Sequence, residues 1–239
     1  GVGMKAAACW FAKHWSVHTS AMFENTARHL DWDTKLIIAE QRTRLKPICT
    51  PARLNEHFTK IVLHNLIHCP SGSMTISKIK SHLSKMYRRY IEEGQVQISW
   101  NGDPLRVERC SVLCAPVESD LSENPRTWSI DLDFVIPGST QRVLGKAWLL
   151  ETMDRQETAL NFFWRKRLIK GNVEPHNRPE ELFGKPNSFR TGRLCVELDL
   201  DSFLPTSDKQ GINFESVGAS EEQLIEELKI QLNKPNMPM

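Results

Sequence analysis

Four stretches of this 239-residue chain hold residues whose types and spacing suit chemistry on phosphates. In "GVGMKAA", Gly1 and Gly3 let the backbone approach an anion closely. The alanines that follow favour a helix, whose first N–H groups are unpaired donors at a positive dipole end. Lys5 adds a charge, although a plain tight turn before a helix has the same pattern. In "EHFTKIVLHNL", Thr59 sits inside an apolar strand, where its hydroxyl faces a ligand or is satisfied locally. "LPTSDKQGINF" presents Lys209 in a polar turn, between a strand ending in Leu200 and the apolar residues Ile212 and Phe214. That lysine either reaches an anion or is simply solvated. "NFFWRKRLIKG" sets Arg165, Lys166, Arg167 and Lys170 beside Phe162, Phe163 and Trp164. Cations with aromatics can track a nucleic-acid backbone and stack on its bases, and charged residues also commonly flank a buried strand.

Composition bounds the partners. The 31 basic and 29 acidic residues leave a net charge of +2, so any basic surface must be a local patch. No apolar run reaches the roughly 18 residues of a membrane span, and no signal peptide is visible. Six cysteines contain no C-x-x-C pair, and a chain of this size needs no disulfide staples. They read as reduced thiols of an intracellular protein. Cys110 and Cys114, four apart in "CSVLC", would share a face of one strand, which suits packing better than zinc. No metal ligand set is expected.

The positioning elements follow from periodicity. Residues 1–14 read as a loop, then a helix. "WSVHTSA" alternates as a strand, "TKLIIAE" and "FTKIVLHNL" are also β-like, and "KPICTPARLNE" is a proline-broken connection. "SMTISKIKSHLSKMYRRYIEEG" places Ile76, Ile79, Leu83, Met86, Tyr87 and Tyr90 at helical steps, and Gly94 ends it. The first region thus ends at residue 94. Beyond it, "QVQISW" and "DPLRVERCSVLC" flank the hairpin turn "NGD". "WSIDLDFVI" puts Ile130, Leu132, Phe134 and Ile136 on one face, and "QRVLGKAWLLE", "LNFFWRKRLI" and "GRLCVELDL" continue the strand series. "SEEQLIEELKIQL" closes as a helix with a Ser220/Gln223 capping box and a stripe of Leu224, Ile225, Leu228 and Leu232. "KPNMPM" reads as a frayed tail.

In this order the motifs resemble the GHKL ATPases, the superfamily of gyrase-type topoisomerases, MutL mismatch-repair proteins, large heat-shock chaperones and MORC proteins. The opening stretch is similar to the one after the ATP lid, where G-x-G-x-K-S/A precedes a helix and a strand. "FTKIVLHNL" is similar to the G-T-x-I/V strand, with Phe58 where glycine is usual. "NFFWRKRLIKG" and "LPTSDKQGINF" resemble the MORC pattern F-F/Y-x-x-N-R-L-I and P-T-x-N-K-Q-D-F. Asp208 replaces the usual asparagine there, and Gly211 is inserted before the apolar pair.

The resemblance implies an α+β fold. Residues 1–94 would be the C-terminal part of a Bergerat-type ATP-binding α/β sandwich. Residues 95–239 would be a transducer domain, a left-handed βαβ unit like ribosomal protein S5. Gly1, Val2, Gly3, Met4 and Lys5 would hold the phosphates of ATP, Thr59 would line the pocket, and Lys209 would reach the γ-phosphate. The family's general-base glutamate, its magnesium-binding asparagine and its D-x-G-x-G segment are not present, and are expected in a preceding part. This chain alone is therefore expected not to hydrolyse ATP. The complete protein would be an ATP-gated clamp, a homodimer when ATP-bound, with DNA as its macromolecular partner through Arg165, Lys166, Arg167 and Lys170. A chaperone-like remodeller and an inactive dimerisation scaffold are the alternatives.

Overall fold

In the computed structural model of the chain, which describes residues 2–116, 124–173 and 175–233, the alanine run at 6–8 builds helix α1 (Val2–Phe11). The helix begins at once, without the expected leading loop, because alanine and methionine favour it from the start. Gly3 lies inside it, with nothing near the position a side chain would take. The chain turns directly into β1 (Ala12–Ser20), followed by β2 (Thr26–Asp33). "TKLIIAE" was expected as a strand but forms helix α2 (Thr34–Ala39). Asp33 caps it, accepting from the N–H groups of Lys35 at 2.9 Å and Leu36 at 3.1 Å. A capped start outweighs the weak β preference of two isoleucines.

The connection "KPICTPARLNE" also differs from expectation, because it contains strand β3 (Ile48–Pro51). Proline is tolerated there because β3 is an edge strand of the sheet β3-β2-β1-β4, with β4 (Phe58–Leu66) at the other edge. Trp15 and Trp32, opposite one another on β1 and β2, stack at 5.4 Å. Lys5 of α1 lies 5.8 Å from the Trp32 ring.

The contacts divide the chain into two units, residues 1–76 and 77–239. The boundary falls inside α3 (Ser73–Met86), earlier than the expected one at residue 94. The predicted long helix is two helices, since Tyr87 leaves helical geometry before α4 (Arg88–Glu92). Gly94 then stops the run at φ +69.

In the second unit, Asn101 and Gly102 both take positive φ and form the expected hairpin turn, between β5 (Ser99–Trp100) and β6 (Asp103–Pro104). The second arm is much shorter than expected. The next paired segments are β7 (Cys114–Ala115) and β8 (Arg126–Thr127). Cys110 therefore lies outside any strand, both it and Cys114 are exposed, and the idea of one packed cysteine face fails. All six cysteines are free thiols.

The main sheet has the order β12-β11-β13-β10-β9, with β9 (Ser129–Val135), β10 (Arg142–Leu149), β11 (Leu160–Trp164), β12 (Arg167–Lys170) and β13 (Leu194–Asp199). All neighbours are antiparallel except β11 and β13. That parallel pair is joined through β12, α5 (Glu180–Phe183) and α6 (Phe189–Arg193). The fold is α+β, as expected. Alternation puts Leu132, Phe134, Ala147, Phe162, Val196 and Leu198 on one face. They pack on Leu182 and Phe183 of α5 and on Leu224, Leu228 and Leu232 of α7 (Glu221–Leu232), with Ile225 half-buried beside them. Ser220 and Gln223 form the expected capping box. "KPNMPM" lies outside the described residues.

The other face carries Phe163, Cys195, Glu197 and Asp199. The guanidinium groups of Arg88 and Arg89 lie 4.8 and 3.7 Å from the centre of the Phe163 ring. Arg89 pairs with Glu197 at 2.9 Å and with Asp199, and Arg88 pairs with Glu197. Burial works against the Arg88 charge and Glu197 opposes that effect. Lys85 adds an ion pair to Glu157 at 2.9 Å. Removing one member of a mostly buried charge set leaves the others unpaired. Glu197→Ala is therefore expected to cost about 3 kcal/mol in urea unfolding, whereas Glu226→Ala, which breaks the exposed pair to Lys229, should cost less than about 0.5 kcal/mol.

Candidate functional site

The Lys209 loop is built from a short antiparallel pair, β14 (Leu204–Pro205) and β15 (Ile212–Asn213), held in place by Phe203, Ile212 and Phe214 in the core. Phe214 opens a single 3-10 turn (Phe214–Val217) and meets Phe203 edge-on at 5.5 Å and Phe162 at 6.0 Å. The apolar pair anchors the loop as the sequence suggested. Inside the loop, Thr206 N–H donates to the Gly211 carbonyl at 2.9 Å and Gly211 N–H donates to the Thr206 hydroxyl at 3.0 Å. Asp208 accepts from the Thr206 hydroxyl at 2.5 Å and from Gln210 N–H at 3.1 Å. The Thr206 hydroxyl, then the Gln210 N–H, hold the Asp208 carboxyl below the usual carboxylate range.

Lys209 follows with φ +58, its N–H donating to the Thr206 carbonyl at 2.8 Å. A lysine in this left-handed region is uncommon and costs on the order of 1 kcal/mol. Its side chain is exposed and has no carboxylate within 4 Å among the described residues. The loop therefore presents one uncompensated cation from a pinned backbone. The aspartate at 208 uses only acceptor oxygens, which an asparagine oxygen also supplies, and Gly211 sits where its amide and carbonyl both close the loop on Thr206.

The basic segment is a hairpin tip. Trp164 pairs with Arg167 across β11 and β12, leaving Arg165 and Lys166 as the two-residue turn. Both have positive φ, +48 and +65, the combination that favours Asn-Gly. The Asn101-Gly102 hairpin of the same unit shows that preference met; this one keeps two cations instead. The Tyr90 hydroxyl donates to the Arg165 carbonyl at 2.6 Å and Arg165 N–H donates to Asp201, so the tip is tied down. Arg165 is exposed and stacks over Trp164 at 4.6 Å. Lys166 pairs with Glu93. Arg167 is half-buried 6.0 Å from the Tyr87 ring. Lys170 pairs with Glu221 at 2.7 Å, fastening β12 to the first turn of α7. The four cations are thus not one equivalent patch: Arg165 and Lys166 form the tip, and Lys170 has a structural partner.

In the first unit, Thr59 on β4 stands opposite Thr19 on β1, and their hydroxyls are 2.8 Å apart. Thr59 is exposed, and its hydroxyl has a local partner. Gly3, Met4 and Lys5 are exposed in α1; Gly1 and the Val2 side chain lie outside the described residues. Among the described residues no group of three or more His, Cys, Asp or Glu could hold a metal ion, and no helix is long and apolar enough to cross a membrane.

Sequence reading missed the Arg88/Arg89 set. Its signal was present: "RRY" on a helix, and "VELD", whose period of two puts Glu197 and Asp199 on one strand face. It also missed Asn161, buried on β11. Asn161 accepts from Asn172 N–H at 2.9 Å and donates to the Val196 carbonyl at 3.1 Å, bridging to β13.

No protein-family model matches the chain, and no curated protein matches it. Among solved structures, the chain is similar to the MutL ATPase domain of Aquifex aeolicus, with 12% identity over 93% of this chain and 76% of that one and a TM-score of 0.43. It is similar to the ATPase region of Saccharomyces cerevisiae topoisomerase II, with 8% identity over 92% and 59% and a TM-score of 0.40. A third is the B-subunit of DNA gyrase from Myxococcus xanthus, with 10% identity over 95% and 67% and a TM-score of 0.34.

The Arg165-Lys166 turn generates one prediction. Replacing it by Asn-Gly (Arg165→Asn with Lys166→Gly) should raise stability by about 1 kcal/mol in urea unfolding, because relief of two left-handed side chains outweighs one exposed ion pair. A loss of stability would show that the tip contacts, not backbone strain, dominate.

Proposed function

We propose that this chain is part of a GHKL ATPase of the MORC/MutL kind, a clamp that ATP closes and that acts on DNA as a dimer. The observation that carries the proposal is Lys209: an uncompensated cation in a left-handed conformation, on a loop braced by Thr206 and Asp208. Backbone strain held by its surroundings marks a position worth keeping, and a phosphate is the ligand that a lone fixed lysine suits. In this reading Lys209 contacts the γ-phosphate and stabilises charge as it is transferred. Gly1 and, from α1, Val2, Gly3, Met4 and Lys5 hold the phosphates. Thr59, with Thr19 as its hydroxyl partner, lines the pocket.

Nucleotide binding suits these residues, since cations and exposed helix-start amides are what phosphates need. Magnesium does not fit them, because the described residues offer no acidic or imidazole cluster for it. Hydrolysis belongs to the complete protein.

One observation favours a second reading, a client-binding remodeller. The first unit exposes Phe23 at 80%, Ile38 at 71% and Ile48 at 62%. Apolar surface of this kind suits protein as well as intramolecular contacts.

Two measurements test the proposal. In a polypeptide joining this chain to the front half of a GHKL domain, Lys209→Ala should lower ATP turnover by about a hundredfold while changing ATP affinity much less, because the lost contact acts mainly in the transition state. The melting curve should not move, and wild-type turnover would refute the role. For the partner, filter binding to duplex DNA at two salt concentrations should show a slope that flattens by about one unit for each cation removed at Arg165, Lys166 and Arg167. An unchanged slope would return the hairpin to solvated surface and favour the client-binding reading.

A further inference from the structure

The Phe163 face of the second-unit sheet also forms the floor of a groove of about 900 Å³. Lys146 and Trp148 of β10 and Glu197 of β13 line the floor. α3 and α4 form one wall, and the segment 104–112 forms the other. The volume is that of a small-molecule site, near the top of the usual ~300–1,000 Å³ range.

Most charges lining it are already used. Lys85 holds Glu157, Arg88 and Arg89 hold Glu197, Arg109 holds Glu92 at 2.6 Å, and Glu93 is taken by Lys166. Lys80 has only a long contact of 3.7 Å with Asp103. What remains is an excess of positive charge. Arg106 and Lys146 are exposed, with no carboxylate within 4 Å among the described residues, against the single unpaired carboxylate of Glu108. Trp148, half-buried, adds a flat apolar surface beside Leu105 and Val107.

We propose that this groove binds a small organic anion, with a phosphate or carboxylate head on Arg106 and Lys146 and a flat apolar body against Trp148. The nucleotide reading of Lys209 and Thr59 does not involve these residues, so the two stand or fall separately. Cys110, exposed at the rim of the groove, reports occupancy.

The test uses the full 239-residue chain. Phenyl phosphate, benzoate and neutral benzyl alcohol are titrated by ligand-observed NMR, with inorganic phosphate as the bodiless control. At least one aromatic anion should bind about tenfold or more tightly than benzyl alcohol, the size of one charge-assisted contact. Whichever of phenyl phosphate and benzoate wins identifies the head group. Inorganic phosphate should bind more weakly than phenyl phosphate, and Trp148→Ala should remove that difference. The bound anion should slow alkylation of Cys110 by N-ethylmaleimide, read by peptide mass spectrometry, and leave Cys49 and Cys69 unchanged. The variant Arg106→Ala with Lys146→Ala should abolish both effects. Binding that is equal for anion and alcohol, or that survives the double variant, would overturn the proposal. If the double variant melts early, Cys110 protection in the unaltered protein decides, and its absence counts against the site.

Discussion

Two arginines over one phenylalanine organise the second unit. Phe163 points away from the apolar core on a strand whose neighbour β13 carries Glu197 and Asp199. A sheet face with acidic residues at alternate positions cannot be covered by an apolar helix, because burying a carboxylate without a partner costs several kcal/mol. It can be covered by a helix that brings its own cations. Arg88 and Arg89 do this, immediately past the break at Tyr87, and their flat guanidinium groups also cover the Phe163 ring. The position of α4, and with it one wall of the groove on this face, follows from a charge-pairing requirement.

The two features with the strongest claim to phosphate chemistry share one property. Lys209, Arg165 and Lys166 all adopt positive φ in turns where glycine or asparagine would be more comfortable. In both turns the surroundings enforce the conformation: Thr206 and Asp208 around Lys209, Tyr90 and Asp201 around Arg165. A long cation at a tight turn has its Cα fixed although its side chain is free, so its reach is confined to a small volume. Such an arrangement suits a charge that must meet a mobile partner.

The first unit is built differently. Its sheet buries Trp15, Ala12, Ala27, Ser16 and Ser20, while both edge strands, β3 and β4, expose most of their side chains. Ile48 on β3 and Phe58, Ile61 and Leu66 on β4 are exposed beside the unpaired amides of the two edges.

The amino-acid sequence by itself determined what repeats at short range. The alternation of β1 and β9, the strands β4 and β13, the capping box of α7 and the Asn101-Gly102 turn depend on residues a few positions apart, and each was legible. The candidate residues were legible as types in order: a lysine after a strand, a threonine in a strand, cations beside aromatics. The sequence was misleading where a local rule had a competitor. Asp33 turned the isoleucines of α2 from strand to helix, and an edge position allowed Pro51 into β3. Only the tertiary structure decided which cations are spent and which are available. Lys170 and Lys209 look alike in sequence, yet one is held by Glu221, 51 residues away, and the other has no carboxylate in reach among the described residues. Ion pairing depends on distance in space, and a linear pattern does not encode which carboxylate a folded strand will bring within 3 Å.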